Sequence, residues 1–350
     1  MHRRQALHLL ATLPMTVTKF PATPVTPKQP LGLVIHSYGI RGTRPMDPDF
    51  SAISDALAFA DHAARIGAAG IQTRIGPSDP DAGPRLRAAI ERHDLYIEGI
   101  VSLPRDEADL GRFEDEVRAT QMAGASVLRT VCLSGRRYET FDSIEQFKAF
   151  ADRSWKSLTL AEPIVRKFQM RLAVENHKDW RIDEMLGWLK RLDSEHVGVC
   201  LDTGNSIALL EDPYQVVEAF APWTITTHFK DMGVAECDDG FLLAEVPLGD
   251  GFLDLRRIIR LLRKTRPGVR FNLEMITRDP LKVPCLTPKY WATLGEVRAW
   301  ELAESLTRVR KHSFNGPLPS ISGLSHREQL LAEAANIDRC LGYAKSHWSE

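Results

Sequence analysis

The chain has 350 residues, with 45 Lys plus Arg against 46 Asp plus Glu and a formal net charge of -1. That balance supplies no global field toward nucleic acid or an anionic membrane, so a small substrate fits better. Five cysteines, widely spaced and without CxxC pairs, argue against both a disulfide framework and a cysteine zinc site, and the length admits two ordinary domains or one large α/β barrel with an extension.

At the N-terminus, "MHRRQALHLLATLPMTVTKF" sets Arg3 and Arg4 ahead of a short apolar stretch, a layout similar to a twin-arginine export leader. The alternative is a disordered tail, because His8 and Pro14 interrupt the stretch. The expected location is accordingly cytoplasmic, or periplasmic if the leader works. "PATPVTPKQP" then reads as a Pro-rich linker that cannot pack as helix or central strand. With no run of about 18 apolar residues, no membrane-spanning helix is expected.

From residue 31 onward, short apolar runs alternate with amphipathic stretches, the pattern of parallel strands joined by crossover helices. Eight runs stand out: "LGLVIHSY" (31–38), "AGIQTRI" (69–75), "LYIEGIVSL" (95–103), "SVLRTVCL" (126–133), "RLAVENH" (171–177), "VGVCLDT" (197–203), "TITTHFK" (224–230) and "FNLEMIT" (271–277). Between them lie helical stretches such as "SDALAFADHAARIGA" and "LDLRRIIRLLRKTRP", with Gly67 and Gly124 at expected helix C-caps. Eight strand-helix repeats in about 250 residues predict a (β/α)8 TIM barrel. "SYGIRG" after the first strand is not the GxGxxG of a dinucleotide fold. The expected organisation is a leader or tail with linker over 1–29, the barrel over 30–312 and a C-terminal helical extension over 313–350.

In such barrels the chemistry sits at the C-terminal ends of the strands. The fifth run ends at Glu175, the sixth at Asp202, the seventh at His228 and the eighth at Glu274. Singly, each has a bland alternative: an Arg partner, an Asx-turn before Gly204, a satisfied core histidine, an edge salt bridge. Together, three carboxylates gathered at one end of a barrel repel one another and lose hydration unless a cation compensates. Three carboxylates with one imidazole suit one divalent metal ion: Mn2+, Mg2+, Co2+ or Zn2+.

The set "VENH", "LDTGN", "HFKD", "PLGDG" and the Glu of "NLEMI" resembles the xylose isomerase-like barrel superfamily over about residues 31–285. Its members include keto-sugar epimerases, hydroxypyruvate isomerases, dehydratases, sugar-acid decarboxylases and endonuclease IV. The resemblance implies a single divalent ion on Glu175, Asp202, His228 and Glu274. It also implies departures. Asn205 stands where the endonuclease branch and the keto-hexose epimerases carry a His, and Val234 where the latter place an Arg.

The leading expectation is a metal-dependent isomerase or epimerase of a sugar or keto-sugar working through an enediolate. Glu175 and Glu274 would exchange the proton from opposite faces, with His177 as the alternative base and Lys230 facing the same pocket. A lyase that dehydrates or decarboxylates a keto-sugar or sugar acid is the second reading, and a non-catalytic sugar-binding barrel the last. His36, Arg129, Asp250 and Arg278 are candidate substrate contacts. For Glu98 and Arg129 a mutual packing pair is preferred, and Asn176, Lys178 and Asp179 read as loop structure. The expected partner is a small carbohydrate, not nucleic acid and not a membrane, with a homo-oligomer left open.

Overall fold

The computed structural model describes residues 31–43, 47–76 and 82–348. The expected leader and linker lie outside the described residues. The strands are β1 (Gly32–Val34), β2 (Gly70–Thr73), β3 (Tyr96–Ile100), β4 (Val127–Thr130), β5 (Arg171–Glu175), β6 (Val197–Asp202), β7 (Thr224–Phe229), β8 (Asp231–Cys237), β9 (Gly240–Val246), β10 (Arg270–Leu273) and β11 (Leu281–Val283). Eight of them close a parallel barrel in the order β1-β10-β7-β6-β5-β4-β3-β2, the TIM barrel predicted from the alternating runs.

The helices are α1 (Gly39–Thr43), α2 (Ala56–Arg65), α3 (Ala82–Arg92), α4 (Leu110–Met122), α5 (Arg137–Thr140), α6 (Ile144–Lys167), α7 (Ile182–Leu192), α8 (Pro213–Phe220), α9 (Leu255–Thr265), α10 (Ala299–Lys311) and α11 (His326–His347). In α9 the apolar positions Leu255, Ile258, Ile259 and Leu262 recur at helical spacing and are all buried, while Asp254 caps its start by accepting the Arg257 N–H at 2.9 Å. Gly67 and Gly124 do end helices, at φ +77° and +90°, where a Cβ would be strained.

The main core lies between barrel and helices. Along β5, Leu172 and Val174 join that outer core, whereas Ala173 joins Val127, Cys200 and Ile225 in a small separate cluster. The period-two alternation therefore turns Ala173 and Glu175 into the barrel. No helix among the described residues is long and apolar enough to cross a membrane.

Three local departures bear on the site. The first run yields only a three-residue strand because Ile35–Tyr38 winds into a 3-10 turn. The eighth stops at Leu273, so Glu274 stands just past β10 rather than within it. The stretch after His228 carries an antiparallel hairpin, β8 with β9, which β11 extends to three strands. Its two-residue turn is Asp238-Asp239, with Gly240 opening β9, and the Asp-Gly step there is a hairpin signal in the sequence. At the other end of the chain, α11 starts in a Ser325/Glu328 capping box and docks on the barrel through Ile337, Cys340, Ala344 and Trp348. From it, Glu333 accepts the Ile40 and Arg41 N–H groups at 2.8 and 3.1 Å, which ties the loop after β1 in place.

Candidate metal centre

Strand register decides which side chains meet. Glu175 lies opposite Cys200 and Asp202 opposite His228, with a register shift between Val199 and Cys200 that brings the latter pair level. His228 in turn lies opposite Asn272, two residues before Glu274. One ligand atom from each of Glu175, Asp202, His228 and Glu274 falls within 4.8 Å of the others, and all four residues are buried.

These residues fit a divalent cation. Asp202 Oδ2 and His228 Nδ1 are buried without a hydrogen bond, although the Lys230 ammonium lies 3.0 Å from the former and Glu175 Oε2 lies 3.1 Å from the latter. The imidazole is oriented from behind. Gln72 gives its amide N–H to Glu98 Oε2 at 3.0 Å, so its oxygen receives the His228 Nε2 proton at 2.7 Å and Nδ1 is turned toward the carboxylates. Burial opposes a charge there, but Cys200, Glu274 and Glu175 outweigh it and raise the imidazole well above its usual value. A second group, Glu175 with Cys200 and His228, is also close. Burial pushes the Cys200 thiol up to about 11, so at neutral pH it stays protonated and the oxygen and imidazole set is the better ligand group.

Each carboxylate has a fixed place. Glu175 accepts Arg129 Nε at 2.7 Å and the second Arg129 nitrogen at the same oxygen, while its other oxygen accepts Asn205 Nδ2 at 2.9 Å. Burial alone would raise this carboxyl, but Arg129 and His228 outweigh it and hold it well below the usual range. Burial likewise acts against Glu274, which Lys230 and His228 nevertheless keep low. Lys230 Nζ sits 2.6 Å from Glu274 Oε2, and His36 Nδ1 sits 2.9 Å from Glu274 Oε1. Asp202 is pushed up by burial against the pull of Lys230. Its Oδ1 accepts the Gly204 and Asn205 N–H groups, both at 2.8 Å, while Asn176 exchanges two hydrogen bonds with the Asp202 backbone.

The remaining sequence candidates divide. His177 follows Glu175 on a half-buried position, and burial with Lys178 nearby lowers it to about 3, leaving a neutral imidazole. Arg278 is held by Glu245 of β9 at 3.1 and 2.5 Å. Asp250 is exposed and pairs with Arg339 of α11. Asp231 neither orients Lys230 nor pairs an Arg. It accepts the Met232, Gly249, Gly251 and Leu253 N–H groups, and so folds the "PLGDG" loop around its carboxylate. The expected Glu98 and Arg129 pair does not form. Arg129 lies opposite Ile100, two residues beyond Glu98, so Arg129 meets Glu175 while Glu98 takes Gln72, Thr226 and Asn272.

Sequence reasoning missed three residues. Gln72 is hidden in an ordinary strand. Glu245, 5% exposed, arrives on the unforeseen hairpin and lies 3.7 Å from Lys230. Lys178 is 2% exposed rather than a solvated loop residue, and its ammonium meets the Asn205 side-chain oxygen. Burial and the neighbouring Lys230 lower it to about 8. Asp179 beside it is also fully buried, and burial raises it to about 7. A separate cleft, about 970 Å³, opens between the starts of α7 and α8 and the segment 291–308. Several of its charges are mutually paired, Arg137 with Glu184, Arg181 with Glu301 and Arg308 with Asp212.

Residues 60–296 match the xylose isomerase-like TIM barrel family, and the chain belongs to it. Over 129 residues it is 29% identical to a 3-oxo-isoapionate decarboxylase of Pectobacterium atrosepticum; the match covers 36% of this chain and 47% of that protein, about half the relative's length. Among solved structures, it is similar to a xylose isomerase-like TIM barrel protein of Mycobacterium smegmatis in complex with magnesium. There the identity is 19% and the TM-score 0.53, with 80% of this chain and 98% of that one covered. It is also similar to the 3-keto-D-glucoside 4-epimerase of E. coli, at 14% identity and TM-score 0.54, covering 81% and 100%. At these identities the structural likeness is one of fold.

Proposed function

We propose that this barrel is a divalent-metal-dependent lyase that acts on a keto-sugar or sugar acid through an enediolate. Glu175, Asp202, His228 and Glu274 would hold the ion. When bound, such an ion polarises a substrate carbonyl and its neighbouring hydroxyl and favours the enediolate. The observation that carries the lyase reading is the difference between the two glutamates. Two-base epimerisation needs a free carboxylate on each face of the substrate carbon. Glu175 has both oxygens engaged, one by a permanently charged guanidinium, and is a poor base. Glu274 is instead in contact with the Lys230 ammonium, which Asp202, Glu274 and Glu245 keep charged against burial, and with His36, a group that can hand over or accept a proton. One carboxylate with an adjoining ammonium suits a reaction in which a proton leaves or arrives on one face while a second group departs. The 29% identity to a decarboxylase over part of its length supports the same outcome.

The isomerase or epimerase reading stands second, favoured by the presence of Glu175 and Glu274 around one centre. A library of keto-sugars and sugar acids, incubated in deuterated water with Mn2+, Mg2+, Co2+ or Zn2+, separates them. The expected result is released carbon dioxide or an enone product. Epimers with deuterium at the exchanged carbon and no loss of carbon dioxide or water would replace the lyase with the isomerase, and no exchange with any substrate would leave a binding barrel.

A further inference from the structure

Lys178 is the group that the chemistry above does not use. Its backbone is pinned where the loop leaves β5, because its carbonyl accepts the Arg137 N–H at 2.8 Å. The side chain runs into the protein, 2% exposed, and its described partner is the side-chain oxygen of Asn205, a neutral amide. No carboxylate among the described residues lies within 4.0 Å of its nitrogen. Every carboxylate nearby is already claimed. Lys230 takes Asp202 and Glu274, Arg278 takes Glu245, and Arg129 takes Glu175. The Asn205 oxygen also lies 3.4 Å from Lys230 Nζ, so two ammonium groups converge on one acceptor, and the amide nitrogen is spent on Glu175. A buried ammonium without a counter-charge costs several kcal/mol.

We infer that Lys178 receives a carboxylate of the substrate, which makes that substrate an acid rather than a neutral sugar; this rests on the reading of the neighbouring cluster as the active site. The charge balance agrees. Arg129, Lys230 and Arg278 already contact Glu175, Asp202, Glu245 and Glu274, and a divalent ion would add two positive charges to that set, so Lys178 would then be in excess until an anion enters. A carboxylate matches the two converging ammonium groups. A phosphate needs further donors, and the nearby Gly204 and Asn205 N–H groups are both committed to Asp202.

The test uses the full chain loaded with Mn2+ and titrated by calorimetry with hydroxypyruvate, dihydroxyacetone and dihydroxyacetone phosphate. Hydroxypyruvate should bind about tenfold or more tighter than dihydroxyacetone, and Lys178→Met should erase that preference without weakening Mn2+ binding. A wild type without the preference, a wild type that prefers the phosphate, or a variant that keeps the preference overturns the inference. A second arm needs no metal. Removing an uncompensated buried charge should raise the melting temperature of the metal-free chain, and malonate should stabilise the wild type but not the variant. A lower melting temperature for Lys178→Met would make the lysine a structural contact and overturn the assignment. A chain that binds no Mn2+ would sink the metal reading alone, and the thermal arm would still decide the role of Lys178.

Discussion

The two halves of the barrel handle polar residues in opposite ways. In the half made by β5, β6, β7 and β10, each strand end delivers one member of the ligand set, and Asp202 Oδ2 and His228 Nδ1 are left without hydrogen bonds. In the half made by β1 to β4, His36, Gln72 and Arg129 hold Glu274, His228 and Glu175, and Glu98 holds Gln72. One half gathers the donor atoms of the candidate metal centre, and the other sets their direction and charge. Bringing such groups together is costly to the fold, and fixing them beforehand is what a metal or substrate site requires.

That division can be broken experimentally. The largest effect is expected from Arg129→Met, which leaves Glu175 buried without its guanidinium. Urea unfolding of the metal-free protein should show a loss of about 3–5 kcal/mol, and added Mn2+ should restore part of it. An unchanged midpoint would mean that the pair supports neither fold nor site. Next, Glu175→Gln and His228→Ala should each weaken divalent metal binding about 100-fold or more by calorimetry, with metal analysis of the purified variants near zero. Retention of about one ion per chain in either would remove that residue from the ligand set.

A smaller loss, about 10- to 100-fold in metal affinity, is expected for Gln72→Leu, because His228 loses the acceptor that fixes its tautomer. Wild-type affinity in that variant would reduce Gln72 to packing. A pH-dependent effect concerns Asp179, outside the candidate ligand set. Burial raises its folded value to about 7 from the ordinary 3.8, so between those values the folded chain keeps a proton that the unfolded chain releases. Its contribution is therefore fully present below about pH 4 and is lost as pH rises through about 7. Asp179→Asn should flatten that slope in chelator and gain stability relative to wild type at pH 8. Parallel slopes would show that the carboxyl is not held neutral.

Much of the ligand half was legible because it breaks a pattern. A run such as "LAVE" or "VGVCLD" is apolar until its end, and a carboxylate or imidazole there is expensive unless something binds it. The supporting half was harder to read. Gln72 lies inside a short buried strand, and nothing local marks its contact with a histidine 156 positions away. The preference for a Glu98 and Arg129 pair failed on register, since adjacent strands place Arg129 one inward position beyond Glu98. Lys178 resembled any loop lysine because its burial comes from the Arg137 segment and the Asn205 turn, not from its neighbours in sequence.

Hydrophobic period and strand-end chemistry, both local properties, pointed to the parallel barrel and to the four residues of the candidate metal centre. Tertiary structure alone decided that Asp202 Oδ2 is left without a hydrogen bond, that the β8 and β9 hairpin carries Glu245 to Arg278, and that one lysine is buried with no carboxylate among the described residues in contact with its nitrogen. Charge compensation is a property of distances between strands and loops remote in the chain, and the closed barrel is what sets those distances.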